Sequence, residues 1–99
     1  MKYGLFGSFV AKDGKRDELL DILLRASELL QQNSDCIHYI VSTSDGANVV
    51  WVYETWLTKE GHDKSLEPED IRSLIQKAMP LIDSIGNQTE LSVNGGKGI

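Results

Sequence analysis

Glu54, Trp56, His62 and Ser65 fall in one short stretch, YETWLTKEGHDKSL, residues 53–66. A carboxylate and an imidazole held close together can move protons near neutral pH. An indole offers a flat wall for a planar ligand. In a strand, Glu54 and Trp56 point to the same side, and Val50 and Val52 continue that side. In a helix, His62 and Ser65 share a face. The same residues also suit a strand end that hands over to a helix. Glu54 would then reach water or a base, and Trp56 would join the core or its rim. His62 would sit half exposed, and Ser65 would cap the helix near Pro68. Spacing alone leaves both readings open.

Other chemistries lack their residues. No G-x-S-x-G elbow surrounds Ser65 or Ser8, and no acidic partner for a Ser–His pair is evident. The glycines of GLFG and GGKGI form neither a dinucleotide nor a phosphate fingerprint. His38 and His62 have no metal-ligand spacing, so no metal is expected. The one cysteine, Cys36, allows no intrachain disulfide. It reads as a small buried thiol and suits a reducing, cytoplasmic location. No signal-peptide pattern and no long apolar run is present, so no membrane association is expected. Net charge is −5, and the lysines and arginines are scattered. That excludes a broad nucleic-acid or anionic-membrane surface.

These residues need elements to hold them. Residues 2–11 read as a strand with Tyr3, Leu5, Gly7 and Phe9 on one face and Gly4, Phe6, Ser8 and Val10 on the other. Residues 15–33 carry leucines at helical spacing, with Asp17 and Glu18 at the N-terminal end. Residues 36–43 and 48–57 read as a hairpin around SDGAN. In the first of these strands Cys36 and His38 share a side. Thr58 suits an N-cap for a helical turn over 59–66. Pro68 opens a further helix that Pro80 ends. Residues 88–93 alternate as a last strand, and NGGKGI is a glycine-rich tail.

The order β-α-β-β-α-β defines one α+β domain over residues 1–99, with a ferredoxin-like antiparallel sheet and helices on one face. A chain of this size buries only roughly 60–65% of its unfolded surface. The sheet face away from the helices is also apolar. Both points predict a homodimer whose sheets meet face to face. Val52, Glu54 and Trp56 are expected to face the helices, and Trp51 and Tyr53 the partner.

With these elements in place, the chain resembles the antibiotic biosynthesis monooxygenase family and its small quinol monooxygenases. CIHY opens the second strand after a long helix. VYETW ends the third and is followed by KEGHDKSL. MPLI and GGKG come late. The resemblance covers nearly the whole chain. It implies a dimeric α+β barrel with a pocket between helices and sheet. It also implies oxidation of a small quinol or polyphenol by O₂ without flavin, metal or haem. By the resemblance, Trp56 is the pocket tryptophan, His62 the polar residue on the following helix, and Glu54 a pocket or rim carboxylate. Many relatives have a histidine at the position of Ser65, so His62 would act from one turn away. Haem-degrading relatives carry an asparagine in the first strand, and Ser8 is the nearest small polar group here. The expected site is therefore His62 and Trp56 as catalytic residues, with Val52, Glu54, Ser65, Ser8 and Phe6 lining the substrate.

Two other functions use the same residues. One is an isomerase or other proton-transfer enzyme acting on a small oxygenated metabolite without O₂. The other is a non-catalytic dimer that binds a small ligand.

Overall fold

A computed structural model describes residues 1–99 throughout. Four strands form one antiparallel sheet: β1 (Lys2–Ala11), β2 (Cys36–Thr43), β3 (Val49–Trp56) and β4 (Ile82–Val93). Their order across the sheet is β2-β3-β1-β4. Helix α1 (Arg16–Leu30) connects β1 to β2. A short helix α2 (Lys59–Lys64) and then α3 (Glu69–Ala78) lie between β3 and β4. This is the ferredoxin-like α+β arrangement. No helix is long and apolar enough to cross a membrane.

Local chemistry explains most boundaries. Asp17 and Glu18 occupy the first turn of α1, where carboxylates favour the helix dipole. Thr58 caps α2, its side-chain oxygen accepting from the Gly61 amide at 3.0 Å. Pro68 sits at the cap of α3 rather than inside it. Helix α3 ends at Ala78, and Met79–Leu81, containing Pro80, form a single 3₁₀ turn. Strand β4 differs from expectation: it begins at Ile82, not near residue 88. Its first half pairs with the end of β1 through two register shifts, which break the alternation a sequence pattern relies on.

Sheet register sorts the side chains. Tyr3, Leu5, Gly7 and Phe9 of β1 lie opposite Trp56, Glu54, Val52 and Val50 of β3. These residues face the helices. Phe6, Trp51 and Tyr53 cluster on the far side, with ring centroids 5.7 and 6.3 Å apart from Phe6 to each of the other two. The closed core lies where β1 ends and β3 begins. There Ala11, Leu19, Val50, Ala78 and Leu81 pack together. The Arg16 guanidinium ties that end of α1 to the β2–β3 turn by donating to the Ala47 carbonyl at 3.0 Å. Beside this core, a cavity remains between the helices and the sheet.

Leu19 is fully buried in the core cluster. Leu19→Ala is expected to lower unfolding free energy by about 2–5 kcal/mol, measured by urea denaturation. A loss within experimental error would contradict this placement of the core.

Candidate active site

The cavity occupies about 270 Å³ between the sheet and the helices. A cavity of roughly 150 Å³ already admits benzene, so this space suits a ligand of one to two rings. Its wall is mostly hydrophobic. Leu5, Gly7 and Phe9 come from β1, Val52 from β3, and Ile22, Leu23 and Ala26 from α1. Ile71, Leu74 and Ile75 come from α3. The polar groups are few: Tyr39, Glu54, His62, Ser65 and Gln88, with the Trp56 indole beside them.

Strand alternation brings Glu54 and Trp56 to one side. The Trp56 Nε1–H donates to Glu54 Oε1 at 3.0 Å. His62 comes from α2, and its Nε2 lies 3.8 Å from the same carboxylate oxygen. The two side chains are only 14% and 13% exposed, so water screens the pair weakly. The Trp56 and His62 rings meet edge to face, with centroids 5.6 Å apart and an 81° interplanar angle. Burial pushes the Glu54 carboxyl above the usual carboxylate range, while the indole hydrogen bond and His62 pull it back in part.

Asp63 supplies the acidic orienter that the sequence reading did not find. Its Oδ1 lies 3.0 Å from His62 Nδ1. A carboxylate at neutral pH can only accept, so Nδ1 carries the proton in this contact. In the neutral ring Nε2 then bears the lone pair, and it faces Glu54. The signal was adjacency in H-D, which spacing rules for triads do not weigh.

Helix α2 holds His62 by backbone anchoring. Gly61 is buried against the α1–β2 loop, where an added Cβ would lie 3.2 Å from the Asp35 Cβ. The Leu57 amide donates to the Asp35 carbonyl at 2.9 Å. On its other side, the Tyr3 ring lies 5.5 Å from the His62 ring. The Tyr3 hydroxyl donates to Glu90 at 2.9 Å. Burial and this hydrogen bond raise its pKa to about 12, so it stays a donor.

Five of the seven expected site residues come together: Val52, Glu54, Trp56, His62 and Ser65 all line the cavity. Two of them play narrower parts than their type allows. Ser65 spends its hydroxyl on the His62 carbonyl within the helix, so it closes α2 and is no nucleophile. Trp56 is fully buried, and its one donor is committed to Glu54. It positions the carboxylate and the imidazole.

Phe6 and Ser8 are corrections. Both point to the opposite face of the sheet, because Leu5 and Gly7 pair with Glu54 and Val52. In a strand, neighbours cannot share a side. Ser8 Oγ instead accepts from the Asn87 amide at 2.8 Å, beside the irregularity in β4. Cys36 is also corrected. A bulge between Cys36 and His38 places Cys36 opposite Trp56 and His38 opposite Thr55. The thiol therefore lies on the helix side. Burial, then Glu54, raises its pKa to about 11, so it is an unreactive thiol at neutral pH.

Sequence reasoning missed Tyr39 as a site residue. It pairs with Glu54 across β2 and β3. Burial and the neighbouring carboxylate push its phenol upward, which keeps it protonated. Its direction follows from the hairpin register, which runs unbroken from Thr43 opposite Val50 to His38 opposite Thr55.

The family model for antibiotic biosynthesis monooxygenase matches residues 3–77. The chain belongs to the antibiotic biosynthesis monooxygenase family. A candidate antibiotic biosynthesis monooxygenase from Chloroflexus aurantiacus is similar over its full length. It is 30% identical with a TM-score of 0.91, covering 100% of this chain and 99% of that one. A candidate family member from Deinococcus radiodurans shares the fold at 17% identity and TM-score 0.80, covering 100% and 98% of the two chains. A Mycobacterium tuberculosis protein does so at 12% identity and TM-score 0.84, covering 98% and 99%. No curated protein matches the chain. Within this family fold, the buried Glu54–His62 pair is the only close carboxylate–imidazole contact that faces the cavity.

Glu54→Gln keeps an acceptor for the Trp56 indole but removes the buried charge. A carboxyl whose folded pKa is raised favours the protonated form. Its destabilising effect is absent in acid, appears as pH rises past the ordinary value of 4.5, and is complete above the folded pKa. Glu54→Gln is therefore expected to raise Tm at neutral pH and to lose that advantage in acid. Calorimetry across that range checks it, and an advantage confined to acid would reverse the assignment.

Proposed function

We propose that the protein is a cofactor-independent monooxygenase that oxidises a small quinol or polyphenol with O₂. The carrying observation is one proton-accepting pair, Glu54 and His62, set in the wall of an otherwise apolar cavity. His62 Nε2 takes the proton of a substrate hydroxyl, and Asp63 balances the imidazolium through Nδ1. The substrate anion is then the reductant. It passes one electron to O₂, and the two radicals combine at a ring carbon to give a hydroperoxide. Loss of water leaves a hydroxyquinone. The proton held on His62 completes the hydroperoxide, and the departing hydroxide takes up the hydrogen of the attacked ring carbon. A quinol plus O₂ thus yields a hydroxyquinone plus water, and the substrate provides all four electrons. The apolar wall of Leu5, Phe9, Val52 and Ile71 keeps water from the intermediates.

We also propose that the sheet face away from the helices closes a homodimer. Phe6, Ile40 and Leu91 are 40%, 49% and 40% exposed there, and Trp51 and Tyr53 join them. An apolar face of this kind fits a second copy of the same sheet. Sedimentation is expected to give twice the chain mass, and Phe6→Asp to give the monomer. A wild-type monomer at all concentrations would remove this proposal.

Oxygen uptake with a panel of reduced quinones tests the activity. His62→Ala is expected to lower kcat by about 10²–10⁴-fold, the usual weight of a general base. Uptake no faster than without protein would sink the reading. Turnover of an oxygenated metabolite under nitrogen would favour the isomerase.

A further inference from the structure

Gly7 lines the cavity from β1, between Val52 of β3 and Gln88 of β4. Glycine inside a strand weakens it, so its presence needs a reason. The backbone provides none, since Gly7 is not among the glycines with positive φ. Packing provides part of one. A Cβ on Gly7 would lie 3.3 Å from the Asn87 carbonyl oxygen, a tight contact beside the register shift of β4, but would meet no side chain. Gly4, on the opposite face of the same strand, is different. A Cβ there would lie 3.0 Å from Val93 Cγ2 and 3.2 Å from Leu91 Cβ, so packing requires glycine. Gly86 is likewise held by the close approach of the Ser8 hydroxyl. Gly7 alone among the strand glycines opens onto the cavity rather than onto a packed side chain.

We propose that Gly7 is the specificity-determining residue of the site, and that its missing side chain leaves the floor on which the second ring of a planar two-ring phenol lies. This deepens the reading of the cavity as a phenol site and rests on it. Leu5 and Phe9 flank Gly7 along β1 on the same face. They form the rims of a shallow trough. Leu5 pairs with Glu54, so the carboxylate and His62 stand at one end of that trough. A phenol whose hydroxyl meets His62 therefore extends its ring system over Gly7. A one-ring phenol fits beside the pair without covering the glycine. A methyl group on the floor lifts a two-ring ligand and leaves a one-ring ligand in place.

The test is an NMR titration under nitrogen of the wild type, Gly7→Ala and Gly7→Val with 2-naphthol and with phenol. Gly7→Ala is expected to raise the Kd for 2-naphthol about tenfold and that for phenol less than about threefold, with a larger gap for Gly7→Val. The change in Tm of Gly7→Ala reports only how far the Asn87 carbonyl, 3.3 Å from the new Cβ, yields, and the comparison of the two ligands carries the test. A merely structural glycine would show equal losses for both ligands. Equal losses, no loss, or no wild-type binding of 2-naphthol would each overturn the proposal. Oxygen uptake separates it from the functional reading. His62-dependent uptake with no ring-size effect removes the role of Gly7 and leaves the monooxygenase. Ring-size discrimination without uptake does the reverse.

Discussion

The pairing of β1 with β3 is the constraint on which the site depends. Leu5 lies opposite Glu54 and Gly7 opposite Val52. A slip of one residue would turn Phe6 and Ser8 inward and send the leucine and glycine to the far face. The cavity would then lose its flat floor and gain a bulky ring. The same register sends Trp51 and Tyr53 outward with Phe6. One set of backbone hydrogen bonds thus builds both the chemical face and the apolar outer face.

Burial of Glu54 follows from that register. A carboxylate facing the helices loses water, and only two groups compensate it, the Trp56 indole by its hydrogen bond and the His62 imidazole when it carries a second proton. The net effect is a raised pKa. A site with a displaced proton affinity is costly to fold and useful for proton transfer. The short helix α2 makes the pairing with His62 possible. It is seated by the Thr58 cap and by Gly61 against Asp35, so the imidazole is held by backbone contacts rather than by a flexible loop.

The fold and the site divide the sheet lengthwise. Where β1 ends and β3 begins, small and branched side chains close a dense core around Leu19 and Val50. Beside it, side chains that would fill a core line a cavity between the helices and the sheet. The family fold accounts for this division in outline. The particular cavity follows from this chain's own residues, above all from a glycine where a strand would ordinarily place a larger side chain.

The elements were legible because their signals are local. Helical leucine spacing, the Thr58 cap, Pro68 and the DG turn each act within a few residues, and β1, β2 and α2 lie close to where those signals put them. Alternation also put Val52, Glu54 and Trp56 on one side before any partner strand was known. The sequence by itself therefore determined the element order, the fold class and the pairing of carboxylate and indole. It did not decide which face of β1 joined them, where β4 began, or which way Cys36 and Tyr39 turned. Those follow from inter-strand register and from bulges, which are set by hydrogen bonds between segments far apart in the chain. His62 met Glu54 only when α2 carried it beside β3. The distance between two groups on different elements is a tertiary quantity, and no local pattern contains it.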